Sequence, residues 1–298
     1  MHYMPDPFIS VVVPTYNRAG YIARTLASLL TQDYDAYEII VVDDGSTDNT
    51  EEVVAGIKDD RIRYHKKDNA ERGAARNYGA RMAKGRYVTF FDSDDLAHNN
   101  HIQEAARAIE KFRQPEIFYL GYDVRDADGR IQWAIDALPS PVNDRLIDGN
   151  HLSCNCVFVR KDVFLELPFS ENRALSGSED YALWLRMASR YTFRGVNVVT
   201  STLVNHDDRS VVNIKRDTFL ARMEALRADL LSDPIFQKRF GNEWNTFRAY
   251  QDIYTGLHLG MAKFPKGECL AYLWSSFRYR PQVIFSYRFL AALKNILV

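Results

Sequence analysis

The run Val88-Thr89-Phe90-Phe91-Asp92-Ser93-Asp94-Asp95 constrains this chain more than any other. Val88 to Phe91 has the β-branched and aromatic composition of a covered strand, and such a strand stops where unpaired charge must reach water or a counterion. Three carboxylates follow it. In an open α/β sheet ligands bind at the carboxyl ends of the strands, and Asp92-Ser93-Asp94 there sets two carboxylates with one residue between them. Hard oxygen donors in this arrangement suit Mg²⁺ or Mn²⁺, ions commonly shared with a substrate phosphate. A polar turn that merely caps the strand has the same local signature, so the rest of the chain has to separate the two.

The pattern before this run alternates strand and helix. Ile9 to Val13 is β-branched and is predicted to end at Pro14, which cannot donate to a sheet ladder. Pro14-Thr15-Tyr16-Asn17 leads into a helix with Ile22, Leu26, Leu29 and Leu30 at helical spacing. Glu38 to Val42 is a second strand running into Asp43-Asp44-Gly45-Ser46-Thr47-Asp48, and Asp48 with Glu51 predicts a capping box for the next helix. Ile62 to His65 is a weaker third strand. The segment from Asn69 to Lys84 is a loop and a helix whose small residues, Gly73, Ala74, Ala75, Gly79 and Ala80, permit close approach around Arg76 and Asn77, with Gly85 as its stop. After the acidic turn, Ile102, Ala105, Ile109 and Phe112 mark one face of a further helix. This order predicts a doubly wound, mainly parallel α/β sheet.

From Pro115 the pattern changes. Ile117 to Tyr122 and Arg130 to Ile135 flank Asp126-Ala127-Asp128-Gly129 as a hairpin, which introduces a small antiparallel part. Asn155 to Val159 is a further strand, Ser178 to Arg190 a helix, and Val204 to Ser210 an exposed polar loop. From about Val211 the chain is helical and aromatic. Between Lys263 and the end six Lys or Arg residues stand against the single Glu268, and Phe289, Leu290, Leu293, Ile296 and Leu297 form an apolar stripe. A helix of this kind in residues 265–298 suits a membrane surface. Packing on its own core or on a second copy in a homodimer suits it better from sequence alone.

With 298 residues, nearly half of them hydrophobic, and a net charge of −1, the chain is expected to be globular, with no nucleic-acid partner. Cys154, Cys156 and Cys269 are odd in number and lack zinc-site spacing, which favours a reducing, cytoplasmic setting. No secretory signal is expected in the first eight residues, and no apolar run is long enough to span a bilayer.

Taken together, the ordered motifs over residues 9 to about 210 resemble those of a family 2 glycosyltransferase with the GT-A fold. They are Pro14-Thr15-Tyr16-Asn17, Val41-Val42-Asp43-Asp44-Gly45-Ser46-Thr47-Asp48, Gly73-Ala74-Ala75-Arg76-Asn77, Asp92-Ser93-Asp94-Asp95, and Ser178-Glu179-Asp180 followed by Leu183-Trp184-Leu185-Arg186. The resemblance implies a catalytic domain over 1–210, with a nucleotide-sugar half (8–112) and an acceptor half (113–210), and leaves 211–298 as a helical extension. It implies a nucleotide-diphosphate sugar donor, above all a UDP-sugar, with Pro14, Tyr16 and Asn17 near the base, Asp44 accepting from a ring N–H, Arg76 donating nearby, and Asp92 with Ser93 at the ribose. Asp94 is the implied ligand of Mn²⁺ or Mg²⁺, His206 a further one, and Arg209 a cover for the pyrophosphate. Asp180 is the implied general base, with Glu179 as supporting neighbour or alternative. The expected reaction inverts the anomeric centre and delivers the sugar to a glycan or polyprenyl-linked saccharide, in the cytoplasm or at the membrane's cytoplasmic face. A sugar nucleotidyltransferase fits less well, because it wants a Gly-rich basic loop where Pro14-Thr15-Tyr16-Asn17 stands. A non-catalytic sugar-binding scaffold fits the fold but not the joint presence of Asp94 and Asp180.

Overall fold

The computed structural model describes residues 8–135, 138–206 and 215–297. The chain divides into one unit made of Met1–Val142, Leu152–Leu183 and Tyr191–Asp207, and another made of Asn143–His151, Trp184–Arg190 and Asp208–Val298.

In the first unit β1 (Ile9–Thr15), α1 (Ile22–Leu30), β2 (Tyr37–Asp43), α2 (Thr50–Gly56), β3 (Ile62–Lys66), α3 (Glu71–Met82) and β4 (Tyr87–Phe90) alternate as predicted. The strands pair in parallel in the order β3-β2-β1-β4. Residues of β1 and β2 are buried on both faces, which explains their unbroken apolar runs. Ile9, Val11 and Val13 share one apolar cluster with Leu26 and Leu29 of α1. On the other face α3 lies so close that a Cβ built on Gly79 would be 2.4 Å from Cγ1 of Val12 and 3.1 Å from Cγ2 of Val42. The small residues of α3 are therefore a packing requirement.

Three local expectations are corrected. Pro14 does not end β1 but lies within it, opposite Val42. The pairing of β1 with β4 stops at Val12 and Phe90, so on that side no ladder bond from residue 14 is needed. Gly85 is not the stop of α3, which ends at Met82; a Cβ at Gly85 would meet the Ser10 nitrogen at 2.6 Å, so the glycine admits the neighbouring strand. No capping box forms between Asp48 and Glu51. Instead Asp48 Oδ1 accepts from the Thr50 N–H at 3.0 Å, and Glu51 pairs with Lys66 at 2.8 Å.

After β4 come β5 (Leu96–Ala97), α4 (His101–Lys111), β6 (Ile117–Arg125), β7 (Ile131–Ile135), β8 (Val157–Arg160), α5 (Lys161–Glu166), α6 (Glu179–Ala188) and β9 (Arg194–Val204). They extend the sheet as β4-β8-β6-β9-β5, with β8 antiparallel to both neighbours, β9 parallel to β6, and β7 a hairpin partner of β6. Ile102, Ala105 and Ile109 of α4 join the cluster that covers the α1 face. The predicted hairpin turn is present, with Gly129 at φ +83°. Strand β9 was not expected; its second half carries Thr200-Ser201-Thr202. The Thr200 and Thr202 hydroxyls are buried and partnered, Thr200 Oγ1 lying 2.9 Å from His101 Nδ1 and Thr202 Oγ1 donating to Asp123 at 2.5 Å, whereas the equally buried Ser201 Oγ has no hydrogen-bond partner among the described residues. Of the loop expected over Val204 to Ser210, Val204 is instead the buried last residue of β9 and the His206 side chain is only 7% exposed, while residues 207–210 lie outside the described residues.

The second unit contains α7 (Arg216–Ser232), α8 (Pro234–Phe240), α9 (Trp244–Met261), α10 (Lys266–Tyr279) and α11 (Tyr287–Leu297). Its core includes Phe219, Met223, Ile253, Leu259, Leu273 and Ile296. Asp233 caps α8 by accepting from the Ile235 and Phe236 N–H groups at 3.0 and 3.2 Å, with Pro234 at the first helical position. Among the described residues no helix is long and apolar enough to cross a membrane.

Gly79→Val forces two methyl groups into the seat of α3 on β1 and is expected to destabilise the protein by about 1–3 kcal/mol, the usual range for overpacking. Urea denaturation checks this, and an unchanged midpoint would mean that α3 does not pack against Val12.

Candidate functional site

The acids that leave β4 have three different surroundings. Asp95 is fully buried and structural: its carboxylate accepts from the Val204 N–H at 3.0 Å and from Asn155 Nδ2 at 3.3 Å, tying the turn to β9. Ser93 is buried beside it. Asp94 Oδ2 lies 3.2 Å from His206 Nε2 and 3.5 Å from Arg18 Nε, with its side chain 12% exposed. The His206 ring stacks on Tyr21 at 4.5 Å between centroids, and its buried Nδ1 has no hydrogen-bond partner among the described residues.

Asp92 belongs to another network. Arg76 on α3 is buried, and its Nη2 donates to Asp92 Oδ1 at 2.7 Å while Nη1 donates to Glu179 Oε1 at 2.7 Å. The guanidinium also lies over the Phe169 ring, 5.2 Å from its centroid. Glu179 opens α6; its Oε2 accepts from the Gly177 N–H at 2.6 Å, and Arg72 approaches its Oε1 at 3.8 Å. Burial pushes the Glu179 carboxyl up, but Arg72 and Arg76 outweigh it and hold the group below the ordinary carboxylate range. An ionised, fully engaged Glu179 is a structural anion. Asp180, the next residue, is only partly buried. Cys154 also lies within the field of Arg76 and these acids, where burial pushes its thiol far up. A protonated thiol is a poor nucleophile.

At the ends of β1 and β2 most polar groups serve the loops. Asp43 is consumed by the Ser46 N–H at 2.7 Å and the Tyr64 hydroxyl at 2.5 Å. Asp44 is held by Lys67 Nζ at 2.5 Å and by the Ala70 N–H at 3.0 Å. Asn17 adopts φ 51°, and its Oδ1 accepts from the Thr47 N–H at 2.8 Å, joining the two loops. Pro14 is buried within β1, whereas Tyr16 is 47% exposed.

The fold thus gathers Arg76, Asp92 and Glu179 into one network and Asp94 and His206 into another, with Asp92 and Asp94 two residues apart on the same turn. Pro14 and Asn17 are occupied in building the loops around them. Arg209 lies outside the described residues. Sequence reasoning missed Arg18, Arg72 and Lys67, each of which contacts one of the acids; Arg18 and Arg72 directly adjoin motif positions, and that adjacency is the only signal they carry, whereas Lys67 lies outside the motifs and carries none. Among the described residues no group of three or more acids, histidines and cysteines is placed to hold a metal. Asp94 with His206 is a pair of donors, which fits a divalent ion only if substrate oxygens and water complete its shell.

The family described as Glycosyl transferase family 2 matches residues 10–167. An uncharacterized glycosyltransferase of Rickettsia bellii is 30% identical over 213 residues, or 70% of this chain but 30% of the relative. The chain therefore spans less than a third of that relative's length. Among solved structures, S. aureus TarS 1-349 in complex with UDP-GlcNAc superposes with a TM-score of 0.62 at 20% identity, covering 97% of this chain and 89% of that one. The mannosyltransferase PcManGT of Pyrobaculum calidifontis, in complex with GDP-Man and Mn²⁺, gives 0.57 at 19% identity, with 98% and 87% covered. These likenesses show the GT-A fold.

Arg76→Met strips two carboxylates of their shared cation, and breaking a buried pair in this way costs about 3–5 kcal/mol at neutral pH. In the wild type Glu179 has a depressed pKa, so its contribution is present above the ordinary carboxylate value and is lost as pH falls through the lower folded value. In the variant Arg72 and the Gly177 N–H remain beside Glu179, but without Arg76 less charge opposes burial and its pKa lies higher than in the wild type, so the stability gap is expected to narrow as pH falls into the carboxylate range. Urea midpoints compared at neutral and mildly acidic pH check this; a gap independent of pH contradicts it.

Proposed function

Because the chain belongs to glycosyl transferase family 2, we propose that it transfers a sugar from a nucleotide-diphosphate donor, a UDP-sugar first among them, to a hydroxyl of a glycan or lipid-linked saccharide. The observation that carries this reading is the Arg76 bridge: one guanidinium joins Asp92 at the end of β4 to Glu179 at the start of α6. Asp94 and Asp180 are each within two residues of a bridged acid, which supports reading them as the donor-side acid and the base of one site. UDP-GlcNAc in TarS and GDP-Man in PcManGT support a nucleotide-sugar donor.

In this reading the exposed Tyr16 ring meets the base, and Asp44 uses the acceptor capacity left by Lys67 and Ala70 for a ring N–H. Asp92, oriented by Arg76, meets the ribose hydroxyls. Asp94 and His206 Nε2 would hold Mn²⁺ or Mg²⁺, which when bound would supply positive charge for the leaving diphosphate. Arg18, already 3.5 Å from Asp94, favours a second reading in which its guanidinium serves that purpose without a metal. Asp180 takes the acceptor proton as the hydroxyl attacks the anomeric carbon from the face opposite the diphosphate, which inverts that centre. Glu179, committed to Arg76 and Gly177, holds the start of α6 and so positions Asp180. The proposed setting is the cytoplasm or the cytoplasmic face of a membrane.

The test is nucleoside diphosphate release from a panel of UDP-, TDP- and GDP-sugars. Asp180→Asn is expected to lower turnover by about 10²–10⁴-fold, the usual worth of a general base, while ligand-induced thermal stabilisation is retained. Equal rates would remove Asp180 from the chemistry. No turnover by the wild type with any donor, despite binding, would favour a non-catalytic sugar-binding role. EDTA, together with Asp94→Asn, is expected to abolish Mn²⁺-stimulated release; full activity in EDTA would favour the Arg18 reading.

A further inference from the structure

The second unit carries an apolar surface that plays no part in the chemistry above. Phe285 and Tyr287 are 82% and 85% exposed, Trp274 is 63% and Leu290 is 54% exposed. Tyr287 and Leu290 lie on α11, Phe285 just before it and Trp274 on α10, and α11 has a groove on each side. One groove, of about 1150 Å³, is walled by Phe264, Tyr287 and Leu290 and includes Lys263, Lys266 and Lys294 in its lining. The other, of about 340 Å³, is lined by Leu270, Trp274, Phe277, Ile284, Phe289 and Leu293, with no charged residue. Soluble monomers rarely leave apolar patches of more than a few hundred Å² uncovered, so a surface like this marks a binding face.

The charges decide what covers it. Glu268 is the single acid between residues 263 and 297, and Arg216 occupies it at 2.6 Å. Arg288 is directed to Asp148, and Arg280 to Glu243 and Thr246. Lys263, Arg278 and Lys294 have no ion pair among the described residues, so the rim of the apolar patch is uncompensated positive charge. A second copy of the chain, docked face to face about a two-fold axis, would bring these same lysines toward each other. A bilayer bearing anionic lipid satisfies both features at once. Its acyl region accepts Phe285 and Leu290, its headgroup level suits the amphipathic rings of Trp274 and Tyr287, and lysines on long apolar stems reach its phosphates.

We propose that the α10–α11 face of the second unit is a docking surface for an anionic membrane, in which Trp274, Phe285, Tyr287 and Leu290 enter the interface and Lys263 and Lys294 engage lipid phosphates. This inference stands whether or not the first unit transfers sugar, because its test reads binding without turnover. Phosphatidylcholine vesicles with and without phosphatidylglycerol are floated through a density gradient with the full chain. Flotation is expected with the anionic vesicles and is expected to weaken steeply with added salt. Lys263→Glu with Lys294→Glu should lower vesicle affinity at least about tenfold, since each basic residue near an anionic surface contributes substantially. Phe285→Ser with Tyr287→Ser should lower it comparably without altering the thermal unfolding midpoint, because both side chains are exposed. Failure to float with phosphatidylglycerol vesicles overturns the proposal. So does binding that survives both double substitutions, or a lipid-free dimer that the Phe285 and Tyr287 substitutions dissociate.

Discussion

A buried guanidinium holds the first unit's chemistry in place. Arg76 contacts Asp92 and Glu179 at 2.7 Å each and lies over Phe169, so one side chain from α3 fixes the acidic turn after β4 and the beginning of α6. Planar, always charged and carrying donors in a fixed fork, arginine is suited to bridging two carboxylates at a set angle, which a lysine ammonium is not. The surrounding sequence is arranged to bring it there. Gly73 allows the Ser170 carbonyl within 2.7 Å of where a Cβ would be, and Asn77 pins the same loop by bonding the Phe169 N–H and carbonyl at 3.0 and 2.9 Å.

Around this bridge, identical residue types take different roles because their surroundings differ. Asp43 and Asp95 are spent on loop and sheet hydrogen bonds, Asp44 is held but keeps acceptor capacity, and Asp94 faces two cationic or ionisable partners. Glu179 and Asp180 are adjacent, yet one is buried against Arg76 and the Gly177 N–H and the other is only partly buried. Burial would make each of these carboxylates costly were it left unpaired, and the partners that prevent this also fix the direction of the remaining lone pairs.

The second unit follows a different logic. Its helices bury one apolar cluster, and Gly256 and Gly260 of α9 bring α10 and α11 close, with the Cys269 carbonyl 3.0 Å from a Cβ built on Gly256. The aromatic residues beyond this core are left at the surface, where they leave grooves instead of a sealed face.

The alternation of strand and helix through residue 112 was legible in the chain itself, because strands covered on both faces must be written as continuous β-branched runs and amphipathic helices as three- and four-residue spacings. So was the position of the acids at strand ends, since charge terminates a covered strand. Strand β9 was not legible: its buried threonines are acceptable only because His101 and Asp123 are across from them, and that pairing spans 99 and 79 positions. The tertiary structure alone decided that Pro14 continues a strand, that Gly85 serves an approach instead of a stop, and which acid of each pair is spent. A residue's type sets what it can bond, but only the neighbours brought by folding determine which of those bonds are already made.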